Sequence, residues 1–242
     1  MIVIALALLG GLYAAAAPRA TGVETPADTS LAIEEGRQLY LTGCSSCHGL
    51  NAEGGSQGPS LIGVGSAGVQ FQVGTGRMPL ARPQAQASRK PPRYTQTEID
   101  YLAAYVASLA PGPSVGPLDV EEADIAQGGE LFRLNCASCH NFIGSGGALS
   151  NGKYAPELSQ ATGVQIAAAM RTGPEAMPVF GPTALTDEEV NDIVAYIQYI
   201  DANKQEGGHD LGVYGPFAEG IWGFVVGIAA LVGFTLWIGA RA

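Results

Sequence analysis

Two short stretches of this sequence share one pattern, and that pattern restricts the fold more than any other feature. Residues 44–48 read C-S-S-C-H and residues 136–140 read C-A-S-C-H, so both are C-x-x-C-H, the attachment signature of a c-type haem. Cysteines three positions apart lie on one face of a helical turn. Their sulfurs can therefore bond the two vinyl groups of one porphyrin, while the histidine that follows points its imidazole at the iron.

A lone C-x-x-C pair has two other meanings, namely a thioredoxin-like redox pair and half of a zinc site. Neither of them needs a histidine directly after the second cysteine, and here that histidine is present twice. The sequence therefore predicts two covalently bound haem c groups, which leave no cysteine for a disulfide. The predicted covalent and axial residues are Cys44, Cys47 and His48 for the first haem, and Cys136, Cys139 and His140 for the second.

The sixth ligand of each iron decides between an electron carrier and a catalyst, and two methionines are the candidates. Met78 and Met177 each precede a proline, which favours an extended conformation that suits a loop laid across a haem face. Thioether sulfur is a soft ligand, and His/Met ligation raises the potential of a cytochrome c. The alternative is a methionine that only fills a core. Met170 is predicted to be such a core residue and is a minor rival to Met177.

Four further residues are candidates for the surroundings of the haems. Metal-bound histidines usually donate their other ring N–H to a carbonyl or carboxylate, and the carbonyls of Pro59 and Pro156 are the candidate acceptors. Arg77 and Arg171 are candidates to pair with haem propionates. The alternative for the prolines is a simple turn in a loop, and the alternative for the arginines is a side chain in solvent.

The chain follows one plan twice, in residues 30–110 and again in residues 118–203. The matching positions are Gly36, Tyr40 and Cys44 with Gly128, Phe132 and Cys136 near the start of each unit, and Thr95, Glu98 and Tyr105 with Thr186, Glu189 and Tyr196 in its last helix. Ser30 is the predicted N-cap of the first helix, and the last helix of the first unit is predicted to start near Thr95 or Thr97. The predicted linkers are residues 18–29, 111–117 and 204–220.

Two apolar stretches, residues 1–17 and 221–240, are candidate membrane spans. The second has 20 uncharged residues, which at a rise of about 1.5 Å cover about 30 Å, the thickness of a bilayer core. The first is either a retained span or a secretory signal, and we favour the span because a signal has a basic start that is absent here. Haem is attached to C-x-x-C-H outside the cytoplasm. Both units are therefore expected on the outer side of the plasma membrane, with both termini cytoplasmic.

The distribution of charge narrows the possible partners. The formal net charge is −10, which argues against nucleic acid, because a nucleic-acid-binding protein carries a basic surface. Residues 28–110 balance six acidic with six basic side chains. Residues 117–208 hold thirteen acidic and four basic side chains, a net charge of −9. The two units therefore differ strongly in charge.

The order of these elements resembles class I cytochrome c, twice: a helix, C-x-x-C-H, a proline-containing loop, a methionine loop and a last helix. In that family the first and last helices cross, with a glycine and an aromatic residue near the contact, as the matching positions above provide. Two such domains with a helix at each end resemble the dihaem cytochrome c subunit of the actinobacterial cytochrome bc complex. Residues 71–79 and the R-K-P-P run at 89–92 look particularly like that subunit.

The resemblance covers essentially the whole chain and implies a fold, a function and partners. The fold is mainly α: two tandem class I cytochrome c-like domains flanked by an N-terminal and a C-terminal transmembrane helix. In that family the subunit takes electrons from the Rieske iron–sulfur protein and passes them to the copper centre of an aa-type haem-copper oxidase. The implied partners are the cytochrome b subunit, the Rieske subunit, the copper-bearing oxidase subunit and membrane lipid. The chain would serve a quinol:cytochrome c oxidoreductase with no stand-alone catalysis.

The charge difference adds a hypothesis about docking to this resemblance. The neutral first unit, whose basic loop at residues 82–93 adjoins Met78, would face the iron–sulfur protein, and the acidic second unit would face the oxidase. The alternative is an acidic face that only keeps an exposed domain soluble.

Two other functions stay open at this point. One is a dihaem electron-transfer subunit of another membrane complex, such as a cbb-type oxidase or a dehydrogenase. The other is a dihaem peroxidase, which needs an iron with an open or displaceable site and an acid/base residue, for which His209 is the only spare histidine. Because both haems have a methionine candidate, electron transfer is favoured.

Overall fold

The computed structural model describes residues 26–80, 82, 84, 86–203 and 216–241, and this part of the chain is mainly helical. The candidate span at residues 1–17 and His209 lie outside the described residues. The same is true of residues 18–25 and 204–215 in two of the predicted linkers. The two units and the C-terminal helix are each described below.

The first unit contains four described helices, and its first helix starts earlier than predicted. They are α1 (Pro26–Gly43), α2 (Ser45–His48), α3 (Gly65–Gln72) and α4 (Gln96–Leu109). Ser30 lies inside α1, so the prediction that it caps this helix is wrong. The helix instead begins at Pro26, and proline is favoured at a first helical position because its missing N–H would have no partner there. The start of α4 at Thr95 is confirmed by a capping box in which Thr95 and Glu98 bond each other's backbone N–H.

The second unit has the same helix order with a small addition. Its helices are α5 (Ile125–Asn135), α6 (Ala137–His140), α7 (Gly163–Thr172) and α8 (Asp187–Ala202). Between α6 and α7, β1 (Gly147–Ala148) pairs antiparallel with β2 (Tyr154–Ala155) around a 3-10 turn at Ser150–Gly152. Thr186 and Glu189 form the capping box of α8, as Thr95 and Glu98 do for α4.

A glycine allows the first and last helices of each unit to cross closely. A Cβ on Gly36 of α1 would overlap the carbonyl oxygen of Tyr101 in α4. In the second unit, a Cβ on Gly128 of α5 would overlap the carbonyl oxygen of Asp192 in α8. Backbone therefore touches backbone at both crossings, and neither position has room for another side chain.

An aromatic pair lies next to each crossing. The rings of Tyr40 and Tyr105 have their centroids 5.2 Å apart at a tilt of 44°, and those of Phe132 and Tyr196 are 5.4 Å apart at 47°. Such tilted pairs are favourable beyond the area that they bury. Tyr40 and Phe132 are fully buried. The crossing that the resemblance implied, with its glycine and aromatic residues, is confirmed in both units.

The two units pack against each other through α3 and α7. Ala67 and Phe71 of α3 form a buried cluster with Ala168 of α7, and Val115 packs on this cluster. The backbone N–H of Ala67 donates to the carbonyl of Pro113 at 3.1 Å. The predicted linker 111–117 is therefore packed into the interface and joins the two cores.

Residues 86–89 of the first unit bind the second unit directly. The Gln86 side chain donates to the carbonyl of Tyr154 at 2.8 Å and accepts from its N–H at 2.9 Å. The N–H of Ala87 donates to the Glu175 carboxylate at 2.8 Å. The basic loop of the first unit therefore bonds the second unit at Gln86, Ala87 and Arg89, while residues 88–90 stay exposed. The sequence showed the basic loop but not its contact with the second unit.

The C-terminal helix α9 (Pro216–Gly239) differs from the others in its surface. Its segment Gly220–Gly239 has a mean hydropathy of 2.2 with none of it buried, and within the described residues it is the one helix long and apolar enough to cross a membrane. The guanidinium of Arg241 lies 4.6 Å from the Trp237 ring centroid. A tryptophan with a cation at a span end matches the anchoring expected at a membrane interface.

We expect Gly128→Ala to destabilise the second unit by about 1–3 kcal/mol, because the new methyl group overpacks a backbone contact that cannot yield. The measurement is the denaturant midpoint of the purified protein, followed by helical circular dichroism. Gly181→Ala is the matched control, since nothing lies within 4 Å of a Cβ at that position. Equal midpoints for the two variants would show that the crossing tolerates a side chain.

Candidate functional site

The short helix α6 orients the histidine of the second C-x-x-C-H motif. The His140 Nδ1 atom lies 3.0 Å from the carbonyl oxygen of Pro156. A carbonyl only accepts, so Nδ1 carries the proton and donates it to this bond. The other nitrogen, Nε2, then keeps its lone pair for a metal. Burial lowers the pKa of His140, and the bond to Pro156 opposes that effect.

The first unit holds His48 in the same way. Its Nδ1 atom donates to the carbonyl of Pro59 at 2.7 Å. A Cβ on Gly58 would lie 3.1 Å from the His48 ring, so the loop runs closely along the imidazole. The two hydrogen bonds that the sequence predicted, to Pro59 and Pro156, are thus present. Such bonds fix the tautomer and the ring orientation of a histidine ligand.

A buried tyrosine supports the turn that follows His48. The Tyr40 hydroxyl donates to the carbonyl of Gly49 at 2.5 Å. Burial, with a smaller contribution from the nearby Tyr105, raises the pKa of Tyr40 to about 12. The phenol therefore stays protonated and keeps donating throughout the physiological range. Phe132, at the equivalent place in the second unit, has no hydroxyl and therefore contributes only to core packing.

A large cavity opens beside α6 in the second unit. Its volume is about 540 Å³, within the size range of cofactor pockets. Its chemically reactive walls are Cys136, Cys139, His140 and Met177, and its apolar walls include Phe132, Leu158, Ile166, Met170, Phe180, Ile193 and Ile197. An apolar cleft with two thiols, one imidazole and one thioether fits a covalently attached haem. Thiols, imidazole and thioether are also the donors that bind soft and borderline metals.

The two cysteines of this motif have different surroundings. Cys136 is 9% exposed and belongs to the core cluster, whereas Cys139 is exposed. Burial, with a contribution from Cys139, raises the pKa of the Cys136 thiol to about 11. In the first unit, burial likewise raises the pKa of Cys44. Both first cysteines are therefore poor thiolates, which argues against the alternative of a redox pair with an activated cysteine.

The methionine candidates are placed differently. Met177 lines the cavity and packs on the core cluster of the second unit. Met170 also borders the cavity, but it is 2% exposed and belongs to the core cluster itself, as predicted. Met78 is half-buried, and its N–H donates to the carbonyl of Gln72 at 2.9 Å.

Arg171 does not line the cavity and has a structural role. Its guanidinium donates to the carbonyls of Phe180 at 3.0 Å and Leu185 at 2.7 Å, and it pairs with the Asp187 carboxylate. It is 4% exposed. The hypothesis that Arg171 binds a propionate is therefore corrected: this side chain ties the loop after α7 to the start of α8. The sequence places Arg171 next to the loop of Met177, but nothing in that pattern indicates that its side chain bonds the start of α8.

Arg77 does line a cavity, but it is the cavity of the second unit. Its guanidinium lies 4.6 Å from the ring centroid of Phe71, and it is 6% exposed. Burial and the nearby Arg89 lower the pKa of Arg77. Arg89 borders the same cavity and donates to the Gln165 side chain at 3.1 Å. The sequence did not indicate that residues of one unit complete the site of the other, because nothing in it shows how the units pack.

Relatives of known name match the whole chain. The chain is 45% identical to the cytochrome bc1 complex cytochrome c subunit of Mycobacterium leprae, with 100% of this chain and 87% of the relative covered. The subunit of the same name from Mycobacterium tuberculosis is 46% identical, with 100% and 90% covered. That of Corynebacterium efficiens is 44% identical, with 100% and 88% covered. This chain belongs to the family of cytochrome bc1 complex cytochrome c subunits.

Two family models divide this cytochrome c subunit into its two units. The model described as cytochrome c matches residues 33–110, and the model described as cytochrome c oxidase, cbb3-type, subunit III matches residues 123–197. Cytochrome c domains carry covalent haem c, which agrees with the C-x-x-C-H motifs. The FixP subunit of the cbb3-type oxidase of Sinorhizobium medicae is 27% identical, with 75% of this chain and 65% of the relative covered.

We expect Arg171→Met to lower the stability of the second unit, by about 1–3 kcal/mol for each buried carbonyl that loses its donor. The redox potential of a haem bound in the cavity of this unit should stay close to that of the wild type. Chemical denaturation and a spectroscopic redox titration measure the two quantities. Arg133→Met, which removes an exposed arginine of the same unit, is the control. Unchanged stability with a lowered potential would instead restore the propionate role.

Proposed function

We propose that this subunit carries one covalently bound haem c in each unit and transfers electrons between them. The observation that carries this proposal is the cavity of about 540 Å³ on which Cys136, Cys139, His140 and Met177 converge. The repeated C-x-x-C-H motif and the matching His48–Pro59 bond extend it to the first unit. A bound haem iron supplies reversible one-electron transfer, and the chain supplies everything that tunes and positions it.

Each side chain at these sites would have one defined role. Cys44 and Cys47 would hold the first haem covalently, and Cys136 and Cys139 would hold the second. His48 and His140 would bind the irons through Nε2, the nitrogen left free when Nδ1 donates to the carbonyls of Pro59 and Pro156. Met78 and Met177 would supply the sulfur ligands. With a histidine and a methionine bound, neither iron would offer an open site for peroxidase chemistry.

Replacing the methionines tests these ligands. We expect Met78→Ala and Met177→Ala each to remove about half of the weak near-infrared sulfur-to-iron band of the oxidised protein, because His/Met ligation produces it at both haems. Met170→Ala is the matched control, since it removes a sulfur that borders the same cavity but belongs to the core. An intact band in either ligand variant, or its loss in Met170→Ala, would contradict the assignment.

The position of the subunit in the respiratory chain is the second part of the proposal. Its relatives are named as subunits of the cytochrome bc1 complex, so we place it beside a cytochrome b and a Rieske iron–sulfur subunit. It would accept electrons from the Rieske protein and deliver them to the copper-bearing subunit of an aa-type haem-copper oxidase. Helix α9, together with the candidate span at residues 1–17, would anchor it in the plasma membrane among lipids, with both haem units outside and both termini cytoplasmic.

The alternative of a cbb-type oxidase subunit has less support. The match of the second unit to the cbb3-type family model favours it. However, the FixP relative is 27% identical over part of the chain, against 45% over the whole chain for the bc1 subunit of Mycobacterium leprae. Affinity purification from detergent-solubilised membranes, with the partners identified by mass, separates the two. Copurification of a cbb-type catalytic subunit without a cytochrome b would overturn the bc1 placement.

The acidic second unit supports docking on a basic oxidase surface. We expect Glu121→Gln with Glu122→Gln to slow reduction of the purified oxidase by the detergent-solubilised subunit, because exposed charges steer association at low salt. Added salt should remove the difference, since charges are screened over about 8 Å at physiological ionic strength. Glu34→Gln with Glu35→Gln neutralises two adjacent exposed glutamates of the first unit and is the control. Equal rates for both double variants would return the acidic face to a role in solubility.

A further inference from the structure

Cations from both units line the cavity of the second unit, and most of them come from the first. Arg77 and Arg89 of the first unit and Lys153 of the second border it. The second unit has few basic residues of its own for this purpose. Arg171 is engaged with Phe180, Leu185 and Asp187, and Arg133 is exposed and does not border the cavity.

Arg77 is a nearly buried cation that acts on a described carboxylate, Glu175, only at a distance. It is 6% exposed, and its guanidinium stacks 4.6 Å from the Phe71 ring centroid. No described carboxylate forms an ion pair with it, in contrast to the equally buried Arg171. Glu175 borders the same cavity and acts on the charge of Arg77 without forming an ion pair with it, while its carboxylate accepts the N–H of Ala87. Burying an unpaired charge is costly, so an anion is expected at this place.

Arg89 brings a second positive charge to the same cavity. It is more exposed than Arg77, and its guanidinium is positioned by the bond to Gln165 of α7. The same Gln165 side chain donates to the carbonyl of Gly74 at 2.8 Å. One residue of the second unit therefore bonds the first unit both before Arg77, at Gly74, and after it, at Arg89. The two guanidinium groups repel each other, as the lowering of the Arg77 pKa by Arg89 indicates, so an anion placed between them would be favoured.

We infer that Arg77 and Arg89 of the first unit bind the two propionates of the haem held by the second unit. The inference rests on the proposed function, because it needs a haem in this cavity. A guanidinium donates in a fixed fork that matches a carboxylate, so each arginine suits one propionate. The second haem is then bound by both units. Its charge environment depends on their packing, and the first unit helps to set its potential.

The test is a redox titration of the full-length, haem-loaded protein with Arg77→Gln and Arg89→Gln. Removing a cation favours the oxidised haem, which carries one more positive charge. We expect the reduction equilibrium constant of the second haem to fall about tenfold in each variant, which is ~59 mV for one electron. The second haem is assigned as the component whose potential drops in Met177→His. Arg93→Gln, an exposed arginine of the same loop that does not border the cavity, should leave both potentials unchanged.

The outcomes separate this inference from the proposed function. Two haems per chain with an unchanged second potential in both variants would overturn the inference alone. A shift of only the first haem in Arg77→Gln would also overturn it, because that shift reports on the neighbouring Met78 and not on the second cavity. One haem per chain, measured by its pyridine complex, would overturn the proposed function together with the inference. A fall in the second potential with Arg89→Gln, which is distant in sequence from Met78, supports the inference independently.

Discussion

The structure of each unit depends on the close crossing of its first and last helices. Gly36 and Gly128 bring backbone against backbone, and a tilted aromatic pair fills the space beside each contact. The C-x-x-C-H turn follows directly from the crossing helix, as α2 follows α1 and α6 follows α5. The position of each motif histidine is therefore set by a contact that contains no histidine. This explains why a haem-binding turn of four residues can be placed accurately on a small domain.

The proline carbonyls complete the placement of the histidines. An imidazole that donates from Nδ1 has one tautomer and one preferred orientation, and both units use a proline at the same point of the loop. Proline lacks an N–H but keeps its carbonyl, so it stiffens the loop and still accepts the bond. The repeated use of this arrangement fits a common task for the two sites.

Because the two units pack together, residues of the first unit form part of the cavity of the second. Residues 86–89 and Arg77 belong to the first unit by sequence, yet they contact or border the second. The charge difference between the units first suggested separate external partners. Part of the basic loop instead contacts the acidic second unit of the same chain. These basic side chains lie against an acidic unit of the same chain. The exposed acidic pair Glu121 and Glu122 remains available for an external partner.

The sequence alone determined the repeat, the C-x-x-C-H histidines with their proline acceptors and the apolar C-terminal helix. These features depend on spacing, side-chain chemistry and hydropathy, all of which are local properties of a chain. The helix crossings were expected only from the resemblance to class I cytochrome c. The sequence did not show the start of α1, the role of Arg171 or the contact of residues 86–89 with the second unit. Only the tertiary structure decided that Arg171 ties a loop to α8 and that Arg77 faces the other unit, because the packing of α3 on α7 joins residues far apart in sequence. No local sequence pattern indicates that Arg77 borders the cavity of the second unit and that Arg171 does not.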